Sequence, residues 1–453
     1  MDDQKADRSI DRRRFLHSAA AGAGVALVPA VWTQASDDKA DDINVALLGA
    51  GVQGQVLMNT CLKIPGVRFK AVCDIWTAFN QKRVSRILTA YRHEHNVYVD
   101  FKEMLDKEKD LDAVIIATPD FWHAEHTVAS LKAGLHVYCE KEMSNTLEGA
   151  RKMVLTAKRA GKLLQIGHQR RSNPRYIFCY ENLIKGARLL GQIIAVNGQW
   201  NRSAREPLGW PKNAPIEQAT LEKYGYESMH HFRNWRWYRG LGGGPIVDLG
   251  SHQIDVYNWF LDALPKTVTA SGRTNYYDKK THEWYDTVMA IYEYATALGP
   301  VSAYYQTVSA NSSGGYFETF MGDEATLLIS ESTQIGEVYR EPRIAPDLWT
   351  KWVNMGYLKA PRQITPSKHK PALPMYGDET PPPFKLPRYK LTVQMDKPYH
   401  QPHLENFFEA IRGGARLTCP AEVGYETAVA VLKVNDAVEA ARKLEFQPDE
   451  FAV

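Results

Sequence analysis

Residues 43–54 read Ile-Asn-Val-Ala-Leu-Leu-Gly-Ala-Gly-Val-Gln-Gly, an apolar strand run that feeds directly into Gly-x-Gly-x-x-Gly. Gly49 lets the chain turn sharply off the strand, Gly51 lets a pyrophosphate approach the backbone, and Gly54 lets helix and strand pack closely. The helix that follows points its positive end at the phosphates. A second strand-like run, Val67 to Cys73, ends in Asp74, about twenty residues beyond Gly54, where a carboxylate accepts ribose hydroxyls. An ordinary glycine-rich turn with a surface aspartate is the alternative, and the full spacing argues against it. The charge of Asp74 repels a 2'-phosphate and so favours NAD. An arginine brought near by the fold would permit NADP.

The 453 residues, 44% hydrophobic and 24% charged, are globular in composition and too many for one compact domain. A net charge of +3 without long single-sign blocks gives no field for nucleic acid. At the N-terminus, Asp11-Arg12-Arg13-Arg14-Phe15-Leu16 followed by the weakly apolar run Ser18 to Val31 resembles a twin-arginine export signal, with a small-x-small cleavage site at Thr33-Gln34-Ala35. Residues 1–35 are therefore set aside, and a cytosolic basic tail is the alternative. No other stretch is long and apolar enough to span a bilayer. Five cysteines without CxxC spacing read as buried thiols, in keeping with folding in the cytoplasm before export.

From Ser36 to His168 strand and helix patterns alternate, which predicts a parallel sheet with helices on both faces and a ligand at the carboxyl ends of the strands. One such end is Ala117-Thr118-Pro119-Asp120, where Thr118 and Pro119 would line the cofactor and Asp120 would cap the next helix. His123 and His126 lack a third ligand, so no metal is expected. Another end is Tyr138-Cys139-Glu140-Lys141-Glu142, where the ammonium of Lys141 stands at the cleft edge.

Gly167-His168-Gln169-Arg170-Arg171 leaves the last parallel strand, and the second domain is drawn over 169–453 as an α+β unit with a mainly antiparallel open sheet. Its free face would serve self-association. Asn201 to Gly240 mixes Trp210, Trp235, Trp237, Tyr224, Tyr226 and Tyr238 with five arginines, which fits a carbohydrate rim or an oligomer interface. In Gly242-Gly243-Gly244-Pro245-Ile246-Val247-Asp248-Leu249-Gly250-Ser251-His252-Gln253-Ile254-Asp255 a helix starts at Pro245, placing Asp248, His252, Asp255 and Trp259 on one stripe. That stripe is either a site or a solvated face. Residues 339–397 form a long proline-rich excursion, and His400 and His403 are expected to serve as a cap and a packed ring.

Gly49 to Gly54, Asp74, Ala117-Thr118-Pro119 with His123, and Glu140-Lys141 together resemble the Gfo/Idh/MocA family of nicotinamide-dependent sugar oxidoreductases. The resemblance continues through Asp248 and His252 and implies Lys141, Asp248 and His252 as a catalytic trio. It also implies cofactor contacts from Gly49, Gly51, Val52, Gln53, Gly54, Asp74, Thr118, Pro119, His123, Glu140, Lys141 and Gln169. Arg170, Trp235, Tyr238 and Asp255 are the expected substrate residues. The chain departs from the family's Glu-Lys-Pro by carrying Glu142 in the proline position, which removes a backbone constraint and adds an acid beside Lys141. The expected function is oxidation of a secondary hydroxyl of a sugar, glycoside or polyol, in a homo-oligomer. Nicotinamide cofactor is scarce outside the cytoplasm, so NAD would be carried tightly bound and regenerated within the cycle. Two alternatives remain: a hydrolase working by transient oxidation, elimination and re-reduction, and a silent binder.

Overall fold

The computed structural model describes residues 42–360 and 386–453; the expected export segment and the middle of the proline-rich excursion lie outside the described residues. The first sheet is parallel, in the order β3-β2-β1-β4-β5-β6, from β1 (Ile43–Leu48), β2 (Val67–Cys73), β3 (Asn96–Tyr98), β4 (Ala113–Ile116), β5 (His136–Cys139) and β6 (Leu164–Ile166). Its central strands are near-continuous apolar runs because helices cover both faces, and β4 is buried at every residue. The chain steps outward from β1 through β2 to β3, then crosses back to β4 on the other side of β1 and continues outward that way. That reversal opens a crevice at the carboxyl ends of the strands, at Gly49, Asp74, Thr118 and Lys141.

The second sheet comprises β7 (Ile193–Asn201), β8 (Pro265–Arg273), β9 (Thr287–Thr296), β10 (Gly299–Val308), β11 (Tyr316–Gly322), β12 (Ala325–Ile329), β13 (Gly336–Arg340), β14 (Leu358–Lys359), β15 (Arg388–Leu391) and β16 (Leu444–Glu445). Among the described residues its order is β14-β15-β13-β12-β11-β7-β10-β9-β8-β16, antiparallel throughout except where β7 pairs with β10. Strict alternation in β9, with Val288, Ala290, Tyr292 and Tyr294 buried between exposed Met289, Ile291 and Glu293, marks one covered and one open face. Helices Gly244–Leu261 and Ala421–Ala440 pack on the covered face and on each other. All five cysteines are buried and free. Among the described residues no helix is long and apolar enough to cross a membrane.

The helix Gly244–Leu261 is buried almost all round, so the stripe through Asp248 and His252 is no solvated face. The stretch after β7 crosses to the first sheet rather than facing outward. The Trp76 indole donates to Ala214 O at 2.7 Å, the Trp122 indole to Tyr224 O at 3.3 Å, and the Tyr224 hydroxyl to Val99 O at 3.2 Å. Together with Tyr226, Met229, Trp235 and Leu241, Trp76 forms a separate apolar cluster that straps the second half of the chain over the first.

At the glycine turn, Gly49 has φ +93°, and a Cβ there would meet Ala117 C at 2.7 Å; one at Gly54 would meet Gly49 O at 1.9 Å. Gly54→Ala is therefore expected to lower stability by about 1–3 kcal/mol, read as a drop in the thermal unfolding midpoint.

Candidate active site

The crevice is a cavity of about 830 Å³ between the two sheets, within the range of ordinary ligand sites. Its cofactor wall begins at the glycine turn. Asp74 Oδ2 accepts from Ala50 N at 2.7 Å and Oδ1 from Trp76 N at 2.7 Å, so this carboxylate fixes the turn as well as facing the cavity. Burial raises its pKa, opposed by those two amides. Helix Val52–Cys61 starts without a side-chain cap and without an acid in its first turn, which leaves its amides for an anion. Gly51 supplies the decisive test of fit. Its φ of −66° suits any residue, and a Cβ there would approach only Asn80 Nδ2, at 4.0 Å. Nothing in the chain's own packing demands glycine there, whereas a pyrophosphate against the backbone does. The residues therefore fit a dinucleotide.

Val52, Gln53, Thr118, Pro119, His123, Glu140, Lys141 and Gln169 also line the cavity. Gln53 Nε2 lies 3.1 Å from Glu140 Oε1 and 3.0 Å from His400 Nε2. His400 stands at the cap position of helix Gln401–Ile411 without its side chain capping it; its ring turns into the cavity instead. His403 is the packed ring expected, held by Ser172 Oγ at 2.6 Å and Ile166 O at 2.9 Å. Pro119 rather than Asp120 occupies the cap of helix Asp120–Lys132, and the Asp120 carboxyl, buried in the cavity wall, is pushed up to about 7 by burial.

His123 proves to be a tie between strand ends. Its Nδ1 meets Glu142 O at 2.8 Å and its Nε2 meets Thr118 O at 2.7 Å, linking the loops after β4 and β5. Glu142, in the family's proline position, follows a cis peptide and turns inward, away from the cavity. Its Oε1 accepts from Met143 N at 2.7 Å, and burial pushes the carboxyl up to about 8. The added acid is thus packed behind Lys141 rather than presented beside it.

Lys141, Asp248 and His252 meet at the wall facing the glycine turn. The Lys141 ammonium donates to Asp248 O and lies 3.5 Å from Asp248 Oδ1. Burial works to raise the Asp248 pKa, but Arg236, Lys141 and Arg202 hold it well below the usual carboxylate range. No hydrogen bond joins Asp248 to His252. The His252 ring lies 5.3 Å from that of Trp200, and its Nδ1 is buried without a partner, leaving Nε2 for the cavity. Burial, then the charges of Lys141 and Arg170, holds its pKa well below 6.5 and keeps the ring neutral.

Of the expected substrate residues only Trp235 lines the cavity. Arg170 lies just past Gln169 on a tight turn that sends it inward, where it pairs with Glu318 and Glu331. Asp255 is seven residues past Asp248, about 10 Å along the helix axis and beyond the cavity; it binds Arg171 at 2.8 Å and accepts from Thr427. Tyr238 follows the short turn Trp235–Trp237, and its hydroxyl meets His230 Nδ1 at 2.9 Å outside the cavity. Arg202, Arg236, Trp200 and Trp237 take their place in the wall. Their aromatic and cationic composition was a signal, but spacing could not order it.

Known proteins resemble this chain over parts of both sheets. Residues 43–168 match the profile of an oxidoreductase family with an NAD-binding Rossmann fold, and residues 187–327 match the GFO/IDH/MocA C-terminal domain. The chain belongs to the Gfo/Idh/MocA family of oxidoreductases. A scyllo-inositol 2-dehydrogenase (NADP(+)) of Bacillus subtilis (strain 168) is 28% identical over 241 residues, 51% of this chain and 55% of its own length. A 1,5-anhydro-D-fructose reductase of Ensifer adhaerens is 29% identical over 184 residues, 40% and 47% of the two chains. A glycosyl hydrolase family 109 protein of Shewanella baltica (strain OS155) is 31% identical over 128 residues, 27% and 28% of the two. The chain spans about half the length of the first two relatives and less of the third. Levoglucosan dehydrogenase in complex with NADH and levoglucosan shares the fold, with a TM-score of 0.65 at 16% identity over 90% of this chain and 99% of its own.

For this family member, Gly51→Ala is expected to leave the unfolding midpoint unchanged and to weaken NAD binding about tenfold or more, measured by titration calorimetry. Equal affinity would remove the turn from the cofactor site.

Proposed function

We propose that this chain is an exported NAD-dependent oxidoreductase acting on a secondary hydroxyl of a sugar, glycoside or polyol. The observation that carries this reading is the meeting of Lys141, Asp248 and His252 across one cavity from the glycine turn. Bound there, a nicotinamide dinucleotide supplies the acceptor for the hydride leaving the carbinol carbon. His252, kept neutral, accepts the hydroxyl proton at Nε2. Lys141 puts a positive charge where the substrate oxygen becomes negative. Asp248, free of His252, accepts from a neighbouring hydroxyl. Trp200, stacked on Tyr316, and Trp237 add aromatic lining to the wall where the sugar ring would sit.

Several further features belong to this reading. The charge of Asp74 favours NAD over NADP. The strap crosses the edge of the cofactor wall, which supports a resident dinucleotide regenerated within each cycle, as export would require. The open sheet face, with Met289 and Ile291 half-exposed, is the surface for self-association. Relatives named for inositol dehydrogenation and anhydrofructose reduction support a polyol or sugar. Similarity to glycosyl hydrolase family 109 proteins favours a second reading, hydrolysis by transient oxidation, elimination and re-reduction. Cleavage of a glycoside without added acceptor would decide for hydrolysis, and stoichiometric keto-sugar for net oxidation.

Replacement His252→Ala should cut turnover about a hundredfold or more while nucleotide binding stays nearly intact; unchanged turnover would overturn the assignment. The neutral ring is the proton acceptor and its pKa is depressed, so activity should persist as pH falls. The acid limb of kcat/KM is therefore expected below pH 6.5, and a limb at or above that value would contradict the role. Native mass spectrometry of protein from the exported fraction should show retained dinucleotide, whereas active cofactor-free protein would exclude a resident cofactor.

A further inference from the structure

The chemistry above gives the cavity-wall arginines only Asp248 to act on. Arg202, Arg205 and Arg236 line the cavity with Lys141 and His252. The Arg202 guanidinium lies 5.1 Å from the ring centre of Trp200, and that of Arg236 lies 4.3 Å from Trp235. Each is held against an indole face, which fixes its position without using its N–H donors.

Those donors have almost no protein acceptors. Arg236 makes one hydrogen bond, from Nε to Asp248 Oδ1 at 3.2 Å. Arg202 makes none from its side chain; its nearest carboxylate oxygen is Asp248 Oδ2, at 3.8 Å from Nη1. Arg205 is fixed only through its backbone N–H, which donates to the Tyr277 hydroxyl at 2.8 Å. A guanidinium carries five donors, so most of this set is unspent.

Charge is unbalanced in the same sense. The single carboxylate of Asp248 faces Lys141, Arg202 and Arg236. Other acids of the cavity do not make up the difference. Asp74 and Glu140 stand at the glycine turn, Glu331 already accepts from Gln169 and pairs with Arg170, Asp120 is pushed up to about 7, and Glu206 is as exposed as Arg205 beside it, which it offsets. Burial, with Arg205 and Arg236 as like-charged neighbours, lowers the pKa of Arg202 despite Asp248. Asp248 is the one carboxylate paired with Arg202, and it is shared with Lys141 and Arg236, so the set keeps a net positive charge. The cofactor's pyrophosphate does not balance it, because the amides of the glycine turn are there to take that group.

We propose that Arg202, Arg205 and Arg236 form an anion subsite, and that the carbohydrate oxidised here carries a carboxylate or a sulfate ester. A planar, two-oxygen group matches the guanidinium fork, and a sulfate offers the same oxygen pair. Held there, the anion positions a neighbouring secondary hydroxyl at His252. This inference rests on the oxidoreductase reading for its substrate, but the subsite can be tested by binding alone.

The test uses the holoenzyme and matched sugars of the gluco, galacto and manno series, each as the neutral hexose, the uronate and the 6-sulfate. Calorimetry reads affinity, and nicotinamide absorbance reads turnover. At least one anionic sugar should bind tenfold or more tightly than its neutral partner, with affinity falling as salt rises. Arg202→Gln and Arg236→Gln should collapse that ratio towards one, and Arg202→Lys, which keeps the charge but loses the fork, should retain part of it. Preference for the uronate or for the sulfate identifies which anion is read. Equal binding of neutral and anionic sugars, an unchanged ratio in the glutamine variants, or no binding by any sugar would each overturn the proposal. Arginine-dependent binding without any turnover would uphold the subsite and count against hydride transfer; turnover of neutral sugars alone would do the reverse.

Discussion

Asp248 is one carboxylate shared by three cations that arrive from separate parts of the chain. Lys141 comes from the end of β5 in the parallel sheet, Arg202 from just beyond β7, and Arg236 from the strap. Lys141 and Asp248 are the mostly buried pair of this cluster, and charges so placed are costly unless paired, so their contact ties the first sheet to the helix of the second where chemistry is expected. The cluster also sets the field of the site. The same cations that keep Asp248 ionised oppose a charge on His252. A neutral ring and an ionised acid therefore stand one helical turn apart without competing for a proton.

Enclosure strengthens every one of these interactions, and the strap provides it. Trp76, Tyr224, Tyr226 and Trp235 form an apolar cluster between the strap and the first sheet, pinned by indole and phenol hydrogen bonds to backbone carbonyls. Such a seam resists local opening more than a polar loop would, because opening would expose large aromatic surfaces to water. The strap brings Arg236 to the same wall that Arg202 reaches from the end of β7.

The parallel sheet was legible because its strands are apolar on both faces and its turns carry glycine at positions with a steric reason. β2, with Asp74 at its end, was read with its observed bounds. Shorter elements escaped: β3 is three residues with two exposed, and β11 and β13 to β16 lack a long apolar run. Their pairing comes from neighbours already in place. The strap's composition was visible, but whether it faced a ligand, a partner or the first sheet depended on where the chain returned.

The residues of the site divide in the same way. Gly49, Gly51, Gly54, Asp74 and Lys141 follow from local geometry, since a turn, a strand end and a helix start each constrain side chains a few residues away. Asp248 and His252 follow from helical periodicity. Periodicity put Asp255 on the same stripe, yet only tertiary structure fixed where the cavity ends along that helix, and so sent Asp255 to Arg171. It also turned Arg170 inward to two glutamates and brought His400, 347 positions from Gln53, to within 3.0 Å of it. Sequence determines what neighbours on one element can do together. Which elements face one another is decided by packing across the whole chain, and the charge balance of the site belongs to that second level.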